Sequence, residues 1–364
     1  MILLVFSTAE VDALRLLRLC RYIPVSDMAA VFNDAVFQTL FHFDFIKVYQ
    51  KHEAYVLTEA GRRFLDANLD DLPPYIPPNY HEEDYLRRSR VAKFTLTAYR
   101  AGLSPFHKEL SSLTENGVCY LTSLSRTMGL NPWGSTRIAA LLRLGDMVCG
   151  VHYLCVGIGL LSLNDELTAF ENNTAHLSGN PRSIIFTGES YADIFNALAE
   201  PKPKRKTRRI TYGKAYERFS YPVHFIPCGE VGARQLRMML HADYRARMTV
   251  AALGSHAQRP PKEHPEWDAL FEGTPFIMAA DMDFTRIDAA VRSAKECGRA
   301  PVYLAALDGQ IGILQKRYKS KGLAKTVLVF DPGKEAVRRQ LALYSPSVRH
   351  FETAEGVEVC APPI

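Results

Sequence analysis

The chain lacks most of the short signatures that identify an enzyme. It contains no Gly-x-x-x-x-Gly-Lys-Ser/Thr loop, no Gly-x-Ser-x-Gly elbow and no His-Glu-x-x-His, so P-loop, α/β-hydrolase and zinc-peptidase readings fall away. Its seven cysteines are odd in number and scattered, with no Cys-x-x-Cys, which supports neither a disulfide framework nor a zinc site. The histidines form no metal-ligand pair, and His152 and His224, each in an apolar strand, read as core or edge residues. No run of eighteen apolar residues occurs, so no membrane span is expected. Met1 to Phe6 is apolar but too short for a secretory signal and has no basic residues before it, which predicts a cytoplasmic protein.

What is present is a chain of 364 residues, 47% hydrophobic and 23% charged, long enough for two or three globular domains. Residues 1–70 read as a winged helix-turn-helix. Val11, Leu14, Leu17 and Leu19 give a first amphipathic helix, capped by Ser7 or Thr8, with Arg15, Arg18 and Arg21 between the apolar positions. Ser26 is expected to cap a short second helix, and a third follows Asn33 with Val36, Phe37, Leu40 and Phe41 facing inward. Two alternating strands, Phe45 to Tyr49 and Ala54 to Leu57, flank Gln50 to Glu53 as the wing, and Thr58 caps a closing helix through Leu65. This module holds seven Lys or Arg against nine Asp or Glu. Its candidate reading helix offers Gln38 and Thr39, and its wing offers Lys47 and Lys51. DNA contact and protein docking or dimerisation are both open for such a module.

Residues 71–80 form a Pro-rich linker, since four prolines cannot continue a helix. Residues 81–182 read as helix followed by β-hairpin, with Arg87, Arg88, Arg90 and Lys93 making the helix from His81 basic on one side. From residue 183 to 364 strand and helix alternate, which predicts a mainly parallel α/β domain; Met248 to Leu253 is expected to add a strand. The fold class is therefore α/β, α+β over the whole chain. Net charge is +5, and its distribution is more informative. Lys204, Arg205, Lys206, Arg208 and Arg209 crowd a basic loop at 201–214, and Lys316, Arg317 and Lys319 form a second cluster; both suit a phosphate backbone.

The run Leu57-Thr58-Glu59-Ala60-Gly61-Arg62-Arg63, the hairpin Arg143 to Met147 leading into Tyr153, and Asp281-Met282-Asp283-Phe284 within Phe276 to Ile287 together resemble the replication-relaxation family of plasmids and integrative conjugative elements. The resemblance implies a DNA-associated accessory protein in replication or conjugative transfer, working beside a relaxase or replication protein, and it gives no catalytic residues to carry over; no cofactor is expected on this reading.

Two other classes stay open. Glu189 with Asp281-x-Asp283 after an apolar strand resembles a Toprim core, where the carboxylates would hold Mg²⁺ for phosphotransfer. Helix capping by Asp283 is the alternative role. A restriction-type nuclease core would need Glu-x-Lys after Asp146, and the following strand has none. Tyr212 lacks the histidine cluster of a relaxase nucleophile and is expected to pack or to stack on a base. The third class is an adaptor whose acidic winged helix docks a relaxase or forms a homodimer.

Overall fold

The computed structural model describes residues 6–69, 73, 75–78, 81–127, 131–201, 209–329, 349–352 and 358–361. The chain divides into two compact units, Met1–Phe219 with Ile226–Leu240, and Ser220–Phe225 with His241–Ile364. Among the described residues, no helix is long and apolar enough to cross a membrane.

The first unit begins with α1 (Thr8–Cys20), β1 (Ile23–Pro24), α2 (Val25–Ala29), α3 (Asp34–His42), β2 (Ile46–Tyr49), β3 (Ala54–Leu57) and α4 (Glu59–Asn68). Local chemistry explains the boundaries. The Ser7 side chain accepts from the Glu10 amide while the Glu10 carboxylate takes the Ser7 amide, a reciprocal cap that starts α1. The side chains of Asn33 and Thr58 cap α3 and α4 in the same sense. No side chain caps α2, so the expectation for Ser26 fails; that residue lies inside the helix, one position past its start. The strands form an antiparallel sheet in the order β1-β3-β2. Leu14, Leu17, Met28, Leu40, Val56 and Leu65 are buried beneath it, whereas Phe41, expected inside, is 43% exposed because α3 turns its last face outward over Tyr55.

Gly61 shows why the Thr-Glu-Ala-Gly-Arg-Arg run contains glycine. A Cβ there would overlap the Phe45 carbonyl oxygen, where α4 closes onto the strand. Gly61→Ala is expected to lower the stability of this module by about 1–3 kcal/mol. Urea unfolding followed by amide exchange in residues 8–68 measures it, and an unchanged midpoint would contradict that packing.

The segment after α4 is tied down at its described positions. Arg18, itself 7% exposed, donates to the Pro73 carbonyl at 3.1 Å and pairs with Asp66 at 2.9 Å. Tyr75 lies under the guanidinium groups of Arg18 and Arg62. α5 (Glu82–Arg100) then packs on the module: Tyr85 stacks on His52 with centroids 3.8 Å apart, and Tyr99 donates to Asp12 at 2.9 Å. Gly102, at φ 91°, follows the end of α5 and turns the chain out of the helix.

The remainder of the unit comprises β4 (Cys119–Leu121), α6 (Thr122–Thr127), β5 (Ile138–Leu144), β6 (Met147–Tyr153), α7 (Leu163–Asn173), β7 (Arg182–Gly188), α8 (Tyr191–Ala199), α9 (Tyr212–Tyr216), the last two residues of β8 (Val223–Pro227) and α10 (Glu230–Met239). Its sheet runs β4-β5-β6-β7-β8, antiparallel through β6 and parallel from β6 to β7.

The second unit contains α11 (Tyr244–Leu253), β9 (Ala269–Phe271), β10 (Thr274–Met278), α12 (Phe284–Glu296), β11 (Val302–Ala306), α13 (Ile311–Arg317), β12 (Ala324–Val329) and a hairpin of β13 (Arg349–Glu352) and β14 (Glu358–Ala361). Its sheet order is β12-β11-β10-β9, with β9 antiparallel to β10 and the other pairs parallel. The α/β class holds, with both sheets mixed. The strand expected at Met248 to Leu253 is the end of α11. Tyr244, Met248, Thr249, Ala252 and Leu253 are buried while Val250 is 58% exposed, a helical spacing that its β-branched residues conceal.

Candidate nucleic-acid interface

Five arginines of the first unit line one cavity of about 440 Å³. Arg21 stands at the C-cap of α1 with φ 71°, a left-handed conformation that turns the chain sharply into β1. α5 contributes Arg87, Arg88 and Arg90, and the residue before β5 contributes Arg137. Thr122, Ser123 and Thr136 add hydroxyls, Leu19, Val91, Ile138 and Ile158 add apolar wall, and Tyr153 and Tyr212 add rings. No carboxylate appears among the described lining residues.

Compensation of these cations is partial. Asp84, one turn before the α5 arginines, accepts from Arg87 and, at 3.1 Å, from Arg88. Burial and then the guanidinium of Arg88 push Arg21 down to about 10, so it remains cationic at neutral pH in an unfavourable field. Among the described residues, Arg21, Arg90 and Arg137 have no ion-pair partner, and the buried Nε of Arg137 has no hydrogen bond. The backbone of Arg137 is fixed nonetheless, because its amide donates to both oxygens of the buried Glu166 at 2.8 and 3.0 Å. His152 approaches that carboxylate at 3.9 Å, but burial pushes its ring down to about 3, so it is neutral and the contact is not an ion pair. His152 is the core residue its strand implied.

The other candidate residues have varied surroundings. Gln38, Lys47 and Lys51 are exposed, while the Thr39 hydroxyl donates to the Ala35 carbonyl at 3.1 Å. Lys204, Arg205, Lys206 and Arg208 lie outside the described residues. Arg209 is described, half-buried, and its charge acts on Tyr212, as does that of Arg137. Tyr212 itself is buried in the cavity wall. In the second unit Lys316 and Lys319 are exposed, whereas Arg317 pairs with Asp288 and lies 4.5 Å over the Phe284 ring.

The carboxylates of the Mg²⁺ alternative are engaged by protein groups. Glu189, in the first unit, takes the Lys93 ammonium and the Tyr153 hydroxyl, the latter at 2.9 Å. Asp281, in the second unit, is 2% exposed and accepts Arg286 on both oxygens at 3.0 Å and Tyr244 at 2.8 Å. Asp283 caps α12 through the Arg286 amide at 3.2 Å, and Asp281 accepts its amide at 3.3 Å. Among the described residues, no group of three His, Cys, Asp or Glu side chains is arranged to hold a metal ion.

Sequence reasoning saw Arg87, Arg88 and Arg90 as one basic helix face but missed Arg21 and Arg137. Neither carries a local signal, since one ends a helix and the other precedes a strand far along the chain. Comparison with protein-family models, curated proteins and solved structures finds no match to this chain.

Proposed function

We propose that this chain is a nucleic-acid-binding protein that holds the phosphates of a DNA strand in the arginine-lined cavity of its first unit. The observation that carries the proposal is the excess of cationic groups there: five arginines, three of them without an ion-pair partner among the described residues, and no described lining carboxylate. Guanidinium forks match phosphate oxygens in geometry and remain charged at all physiological pH values. The lining hydroxyls suit phosphate oxygens, and the aliphatic wall suits sugar or base. In the sequence the basic run Lys204 to Arg209 precedes Tyr212 by three residues.

In this proposal the N-terminal module acts as a winged helix, with Gln38, Lys47 and Lys51 as its exposed polar contacts. The resemblance to the replication-relaxation family assigns the protein an accessory role in replication or conjugative transfer of a mobile element. Binding would be mainly electrostatic and weakly selective for sequence. Photo-cross-linking of the full chain to bromodeoxyuridine-substituted oligonucleotides tests it. Cross-linked peptides covering residues 87–90 or 137–155 are expected, and cross-links confined to the second unit would overturn the assignment.

A further inference from the structure

A second constellation, wholly within the second unit, is independent of the arginine cavity. Cys297 is the C-cap residue of α12 and is exposed. Its Sγ lies 3.2 Å from Nε2 of His264. On the far side of that ring, Nδ1 lies 2.8 Å from the Ser293 hydroxyl and 3.3 Å from the Glu266 carboxylate. The ring is held flat by Trp267, stacked at 4.2 Å with planes 18° apart, and Trp267 is anchored by its Nε1–H donating to the Ala290 carbonyl at 3.1 Å. Thiol, imidazole and carboxylate therefore stand in line, with the imidazole fixed by a buried indole.

The chemistry follows from the order of these groups. A carboxylate beside Nδ1 favours the proton on that nitrogen and leaves the Nε2 lone pair facing the thiol. The adjacent base, 3.2 Å from Sγ, is the feature that makes this thiol a nucleophile. The exposed position of Cys297 admits a small disulfide directly from solvent.

We propose that Cys297 is a site of thiol–disulfide exchange, with His264 as its base and Glu266 as the residue that positions His264. The Cys297 S–H proton passes to Nε2 of His264 as Sγ attacks one sulfur of a low-molecular-weight disulfide. A new S–S bond forms, the disulfide S–S bond breaks, and the leaving thiolate takes the proton back from the imidazolium. The products are a mixed disulfide on Cys297 and one free thiol, with no net change in oxidation state.

The test uses the full chain, glutathione disulfide and an aromatic disulfide, with the modified cysteine identified by peptide mass spectrometry. Cys297 is expected to be the fastest-modified cysteine. H264N should slow it about tenfold at neutral pH, and E266Q should slow it several-fold. Both variants should also change the shape of the pH–rate profile, which a change in accessibility alone would not do. Thermal melting of each variant checks the fold, and E266Q leaves the stacked ring in place if H264N does not fold. Equal rates in wild type and E266Q, with superimposable pH profiles, would overturn the proposal, as would preferential modification of another cysteine.

Discussion

Replacing Arg21, Arg90 and Arg137 together by glutamine is expected to weaken DNA binding on the order of a hundredfold near physiological salt. Each phosphate contact releases about one condensed counterion, so three lost contacts should also flatten the dependence of log affinity on log salt by about 2.7. The loss should be similar for unrelated sequences, because phosphate contacts position a strand without reading it. These three are chosen because they lack ion-pair partners among the described residues, so their removal breaks no ion pair, whereas Arg87 and Arg88 are both paired with Asp84. Relief of the crowding around Arg21 should leave stability unchanged or slightly higher. Fluorescence anisotropy with labelled oligonucleotides measures the first effect and thermal melting the second. Wild-type affinity and slope in a folded triple variant would remove the cavity from the binding surface.

Arg286→Met is expected to cost about 3–5 kcal/mol, because it leaves two buried carboxylates without their shared cation. Arg286 bridges Asp281, at 3.0 Å to both oxygens, and Asp268, at 3.1 Å, and these acids are 2% and 7% exposed in their side chains. Burial raises the Asp281 carboxyl, but the charges of Arg286, His224 and Arg245 together hold it below the ordinary carboxylate range. Its contribution is therefore present above the unfolded value of about 4 and is lost as pH falls through the depressed folded value. Asp268 goes the other way: burial outweighs Arg286 and Arg245 and leaves it raised. Without Arg286 burial dominates at both sites, so the variant should gain stability between pH 7 and pH 5, a gain that Asp268 alone gives more weakly in the wild type. Fluorescence of Trp267 in a Trp133→Phe background follows unfolding of this unit, since each unit holds one of the two tryptophans. A loss below about 1 kcal/mol would mean that Arg286 does not neutralise the pair.

The same network shows what the sequence could and could not convey. Asp281-x-Asp283 after an apolar strand has the form of a metal site. Its partners Tyr244, Asp268 and Arg286 are distributed over two helices and a loop, which no linear pattern brings together. Helix starts were legible where one side chain closes a local ring, as at Ser7 with Glu10 and at Thr58 with Gly61. Strand and helix were confused at Met248 to Leu253, where Thr249 and Val250 favour a strand but burial follows a helix. The arginine cavity was half legible: the α5 cations share one helix face, while Arg21 and Arg137 come from a helix end and a strand start. Charge density alone pointed to Lys204 to Arg209, the segment most easily seen in a sequence.

The most direct test of the nucleic-acid assignment is the affinity of the intact chain for single-stranded and duplex oligonucleotides, titrated over salt and repeated with Mg²⁺ while strand integrity is followed. Binding to intact DNA is expected, with log affinity falling with log salt at a slope of about −3 or steeper, from at least the three arginines without ion-pair partners among the described residues. No measurable affinity at low salt would contradict it and favour an adaptor that docks protein. Mg²⁺-dependent cutting would contradict the non-catalytic role and return the carboxylates to the centre of the chemistry.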